Sequence, residues 1–152
     1  MKPTLYMETT GIPAGKTAGE ITDLLVRSGA KQIATDYNSG RVVGLRWVLS
    51  VPGGGDQVFA MPARVDPVFK KINGRRQYNR MSNAVKDREQ AERVAWRQLL
   101  RWVQAQLAMI DCGMAEASEV FFPYLQTSTG STVYELFRGQ GFKMISAPEK
   151  HP

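Results

Sequence analysis

Residues 87–114 read DREQAERVAWRQLLRWVQAQLAMIDCGM, a run without proline and without glycine before Gly113. Strong helix formers fill it, so its local preference is clear. Apolar residues recur at Trp96, Leu99, Leu100, Val103, Leu107, Ile110 and Met114, the spacing of one helical face. Trp102 and Met109 widen that face, which predicts packing against more than one neighbour. On the other side Arg93, Arg97 and Arg101 follow at intervals of four, then Gln104, which predicts a solvent ridge of guanidinium groups. Glu89 can pair with Arg93, but Arg97 and Arg101 have no acid four residues before them, so the ridge keeps positive charge. An ordinary solvated helix face has the same look.

The chain before this helix supplies the sheet. Residues 3–9, PTLYMET, read as a first short strand. After Gly11, Pro13 and Gly15, Thr17 and Glu20 have the spacing of a capping box at the head of a helix whose inward residues are Ala18, Ile21, Leu24 and Leu25, and Gly29 ends it. Residues 31–37 alternate, with Ile33, Thr35 and Tyr37 on one side, and Asn38-Ser39-Gly40 turns them into a second strand. That strand, RVVGLRWVLSV, places Val43, Leu45, Trp47, Leu49 and Val51 on one face. A glycine-rich loop leads to a further strand at 57–61, and Pro62 stops it. Residues 65–73 suit a short helix begun by Asp66 and Pro67.

After the long helix, residues 115–125 predict a helical turn or two interrupted near Pro123, with Ser118 as a cap. Residues 132–138 read as a short helix, and Phe142, Met144 and Ile145 as a last small strand. The order strand-helix-strand-strand-strand, then helices, predicts one α+β domain over residues 1–146, with a small, mostly antiparallel sheet and helices on one face. Residues 147–152 read as a disordered tail.

The chain has 152 residues and a net charge of +6, a balance that favours polyanions and says nothing about fold. Lys70 to Arg88 is its most polar stretch: Lys70, Lys71, Arg75, Arg76, Arg80, Lys86 and Arg88 against Asp87 alone, with Tyr78 among them. Residues 74–86 read as a mobile loop. Arginine offers paired contacts to phosphates, and tyrosine a stacking face for an unpaired base. A solvated basic linker, or a patch for an acidic protein, would have the same composition.

The chemistry-bearing residues are few. His151 is the sole histidine and Cys112 the sole cysteine, which argues against a histidine-based triad and against a cysteine- or histidine-rich zinc site. Cys112 falls in the apolar helix and reads as a buried thiol. Gly15-Lys16-Thr17 resembles the end of a phosphate-binding loop, but the glycine five residues before Gly15 is replaced by Thr10. Asp36, beside Tyr37 at a strand end, reads as a turn-stabilising acid rather than a site residue. Trp47 and Trp96 follow the buried periodicity of their elements; Trp102 is a candidate for partial exposure or an oligomer interface. No apolar run is long enough to span a membrane, and MKPTLYMETTG lacks the apolar core of a signal peptide, so the chain reads as cytoplasmic.

The long helix, with EVFFPYLQT after it and PAGKTAGEITDLLVRSGA before it, resembles a family of small proteins carried by phages and mobile elements. The resemblance covers most of the chain. It implies a setting in phage replication, recombination or host interaction, and it carries over no activity and no site residue.

These readings predict a non-catalytic, cofactor-free protein that binds nucleic acid, single strands first, DNA or RNA. The expected contacts are Lys70, Lys71, Arg75, Arg76, Arg80, Lys86, Arg93, Arg97 and Arg101 to phosphate, and Tyr78 to a base. The alternative is a protein-interaction module that binds or inhibits a host protein through the same basic surface, against an acidic partner, or through an apolar patch near Trp102 and Phe121-Phe122.

Overall fold

The computed structural model describes residues 5–78 and 83–143, the side chains of residues 76–78 excepted. Among these residues the order is α1 (Ala14–Arg27), β1 (Gln32–Asn38), β2 (Arg41–Val51), β3 (Gly55–Pro62), α2 (Val65–Tyr78), α3 (Ala84–Asp111), α4 (Ala117–Val120), a 3-10 turn (Phe122–Tyr124) and α5 (Val133–Gly139). The fold is α+β, with an antiparallel sheet of order β1-β2-β3.

The β1–β2 hairpin closes through Ser39 and Gly40, both at positive φ (51° and 76°). This is the mirror-image turn whose twist matches that of the strands. Register slips by one between Asp36 and Tyr37, opposite Gly44 and Val42. Gly44 lets β3 come close: a Cβ there would stand 3.0 Å from the Met61 carbonyl oxygen, tighter than ordinary contact. Beyond the slip the predicted alternation holds. Leu45, Trp47 and Leu49 meet Phe59 and Met61 on one face, under Ala18, Ile21 and Leu25 of α1 and Trp96, Leu100 and Val103 of α3. Phe121 closes the end of this core, edge-on to Trp47 at 5.4 Å between centroids. A smaller cluster of Ile72, Ala91 and Val94 fastens α2 to α3.

The leading strand predicted at residues 3–9 does not form where the chain is described. Residues 5–10 make turns instead, with Glu8 N donating to Leu5 O and Thr10 N to Met7 O. Carbonyls that a strand would give to a neighbour are taken by α3 side chains: Gln90 donates to Glu8 O and Thr10 O, and Gln98 to Tyr6 O. The helices precede and follow three consecutive strands.

Two predicted caps also move. Helix α1 starts at Ala14 with no side-chain cap, which puts Thr17 inside the helix and fully buried, and frees Glu20 to reach α3. Asn83 caps α3, accepting from Lys86 N at 3.2 Å, so the long helix begins ahead of Asp87. The predicted 74–86 loop is corrected at both ends, since residues 74–78 continue α2 and 84–86 are the first turn of α3, while residues 79–82 lie outside the described residues. Contacts across the helix pair hold that extension, with Ile72 buried and Asn73 donating to Asp87 Oδ2. In the C-terminal part Ser118 does not cap α4, whose N-cap is Glu116. Phe142 lies in a turn rather than a strand, and Met144, Ile145 and the predicted tail fall outside the described residues.

Candidate nucleic-acid interface

Helices α2 and α3 pack as a pair, and the basic stretch runs over the end at which the chain passes from one to the other. Lys70, Lys71 and Lys86 are exposed there. The single acid of the Lys70–Arg88 stretch, Asp87, is fully buried and accepts from Asn73. Three lysines of the stretch thus face outward while its one acid is buried. Arg88 is held by Asp66 and lies 4.8 Å over the Phe69 ring. Arg75 is also engaged, donating to Glu8 Oε1 at 2.9 Å. Arg76 and Tyr78 belong to the last turn of α2, and their side chains lie outside the described ones; Arg80 lies outside the described residues.

The arginine row of α3 is not a solvent ridge. Arg97 is only 7% exposed and donates from Nη1 to Glu20 Oε2 of α1 at 3.0 Å. Its Nε has no hydrogen-bond partner among the described residues. Arg93 is half-buried and gives Nε and Nη2 to Gln90 Oε1. Arg101 alone of the three is exposed, with Nη1 on Gln104. The reason is tertiary: α1 packs along the side of α3 that periodicity assigned to water. The row thus divides among three environments and does not form one charged surface with the hairpin end.

The sheet's outer face carries Ala34, Arg46, Val48, Ser50, Val58 and Ala60, by the parity opposite to the core residues. Its cations are matched in place. Arg46 grips Asp36 through Nε and Nη2, and Lys31 Nζ reaches Asp56 at 2.9 Å. Asp36 is therefore an ion-pair partner within the sheet. Ser50 Oγ donates to Asp56 Oδ1 at 2.6 Å. The Ser50 hydroxyl, then Lys31, holds the Asp56 carboxyl below its ordinary pKa. A depressed carboxylate contributes stability that is present above its unfolded pKa and lost as pH falls through the folded one. NMR titration of Asp56 should accordingly give a midpoint below the usual carboxylate value, and Ser50→Ala should raise it. An unshifted midpoint would refute this assignment.

A cleft of about 740 Å³ opens where the β1–β2 turn overhangs the start of α2. Arg41, Arg64 and Arg88 line it with Asp66 and Glu92. Arg41 Nη1 contacts Glu92 Oε1 at 2.7 Å, and that contact raises the Arg41 pKa. Arg64 stands on the short link between β3 and α2 and is exposed.

Other candidates settle into structural places. Thr17 faces the core and Lys16 is exposed on the first turn of α1, so the Gly15-Lys16-Thr17 resemblance does not make a phosphate-binding loop. Cys112 is exposed rather than buried, because α3 ends at Asp111 and the thiol follows the packed part of the helix. Trp102 is half-buried, edge-on to Phe121 and Tyr124. Among the described residues no group of three or more His, Cys, Asp or Glu is placed to hold a metal ion. No helix among them is long and apolar enough to cross a membrane.

Pattern reading passed over one set of exposed residues: Arg64, Tyr134, Arg138 and Phe142. Its signal was present in Thr132-x-x-Glu135, a capping box that forms with both reciprocal hydrogen bonds. That box fixes the start of α5 and puts Tyr134 and Arg138 one turn apart. Comparison with protein-family profiles, with curated proteins and with solved structures finds no match to this chain.

Proposed function

We propose that this is a small, non-catalytic nucleic-acid-binding protein that holds single strands through their phosphate backbone at the α2–α3 hairpin. We place it in the cytoplasm, from its single cysteine and the lack of a signal-peptide pattern, and in the DNA metabolism of phages or mobile elements, from the resemblance of its sequence. One observation carries the reading: the hairpin exposes Lys70, Lys71 and Lys86, while Asp87, the one acid of the stretch, is buried. A surface with exposed cations and a buried carboxylate suits a polyanion and needs no sequence recognition. Arg93 and Arg97 drop out of the proposed contact set because their guanidinium groups serve Gln90 and Glu20.

The test is fluorescence anisotropy with labelled single- and double-stranded DNA and RNA at two salt concentrations. Binding should weaken steeply with salt and vary little with sequence. Replacing Lys70, Lys71 and Lys86 together with glutamine should weaken binding to every single strand by about tenfold or more at low salt. It should also flatten the logarithmic salt slope by about 2, since each phosphate contact on a single strand contributes about 0.7. Unchanged affinity would remove the hairpin from the interface. No binding at low salt would overturn the reading in favour of a protein partner.

A further inference from the structure

Tyr134 on α5 and Phe142 in the turn after it bring their rings to 6.1 Å between centroids, tilted by 50°. They remain 36% and 56% exposed. The Arg64 guanidinium lies 5.7 Å from the Tyr134 centroid. Arg138, one turn beyond Tyr134, and Lys143, next to Phe142, are both exposed. The acid within α5, Glu135, accepts from Thr132 N at 3.2 Å and also borders the hollow beside Arg64 and Tyr134. Gly141 and Phe142 both take positive φ (67° and 58°), and Phe142 N donates to Phe137 O at 2.8 Å. The outer ring is thus held by backbone geometry while much of its surface stays in water.

We propose that Arg64, Tyr134 and Phe142 form a stacking platform for an unpaired base of a nucleic-acid strand, with Arg138 and Lys143 meeting the flanking phosphates. The platform rests on the nucleic-acid reading above and adds to it a reason for preferring single strands. Arg64 supports Tyr134 through a cation–π contact, Tyr134 buttresses Phe142, and Phe142 offers the most open ring of the set. A base has a π-face whatever its identity, so such a ring recognises unpaired nucleotides without reading sequence, and a paired base inside a duplex does not reach it. One cation on a ring, with exposed Arg138 and Lys143 adjoining Tyr134 and Phe142 along the chain, fits an anionic, aromatic ligand better than a purely apolar one.

The experiment uses the full chain with Phe142→Ala, Phe142→Leu and Phe142→Trp. Anisotropy is read against a labelled single strand, the same strand with abasic sites, and the matching duplex. Loss of the ring, by alanine or leucine, should weaken binding to the intact single strand about tenfold. It should leave the salt slope, the abasic strand and the duplex unchanged, because no charge is removed. Phe142→Trp should keep the affinity and show indole quenching when the intact strand binds, a signal that a fold-supporting role alone would not produce. Undiminished single-strand affinity in Phe142→Ala, or equal losses on all three ligands, would overturn the platform. If the lysine variant weakens binding while Phe142→Ala does not, the platform fails and the hairpin reading stands. If the unaltered protein binds no nucleic acid, both fail.

Discussion

Trp47→Ala is expected to destabilise the protein by about 3–5 kcal/mol, the range for removing a large aromatic from a packed core. Trp47 is 1% exposed at the middle of β2. It stacks on Phe59 at 5.9 Å between centroids, and Phe121 meets it edge-on. Alanine would leave a void bordered by both rings, and Phe121 comes from the far end of the chain, so the sheet would lose its hold on the C-terminal segment as well. Domains of this size are stable by about 5–15 kcal/mol, so the variant would give up a large share of that stability. Trp47→Phe should cost clearly less. It shrinks the ring, but the indole N–H it removes has no hydrogen-bond partner among the described residues. Urea unfolding of the three proteins measures the difference, and a cost below about 1.5 kcal/mol for alanine would contradict the central place given to this side chain.

Glu20→Ala and Arg97→Met should differ although they break the same ion pair. With Glu20 gone, the guanidinium of Arg97, whose side chain is 8% exposed, keeps its charge in a nearly closed site. The expected loss is about 2–4 kcal/mol, somewhat below that for a fully buried pair because Glu20 itself is 38% exposed. Methionine at 97 keeps the apolar length of the side chain and removes the charge that needs a partner. A Glu20 left behind can turn to water, so this change should be near neutral. Comparable losses in the two variants would mean that the pair is net stabilising and would reverse this account. The contrast also bears on function: an Arg97 that can be exchanged without changing affinity for a single strand is a packing residue between α1 and α3.

The parts of the fold that were legible in the sequence are those with a strong local period or a turn of fixed chemistry. Leu45, Trp47 and Leu49 alternate, Ser39-Gly40 permits the tight hairpin, and the Trp96–Leu100–Val103 spacing marks the inward face of α3. The misread N-terminal segment shows where local reading stops. PTLYMET has the composition of a strand, but an edge strand must find backbone partners, and residues 5–10 find Gln90 and Gln98 instead. Thr17 and Glu20 have the spacing of a cap, but the helix starts earlier because burying Thr17 and joining Glu20 to Arg97 employ both residues elsewhere.

The candidate site divides in the same way. Sequence alone determined the charge balance, the basic stretch from Lys70 to Arg88 and the poverty of histidine and cysteine, since these are matters of composition and adjacency. Only the tertiary structure decided which cations face outward. Glu20 and Arg97 are 77 residues apart, Glu8 and Arg75 are 67 apart, and Asp87 turns into the helix pair toward Asn73. A pattern along one helix contains no distance to a second element, so an arginine row reads the same whether water or a glutamate lies beside it. The Arg64, Tyr134 and Phe142 cluster depends on the same kind of distance. Its members come from the β3–α2 link and the far end of the chain, and they meet only after the sheet and α5 have taken their places.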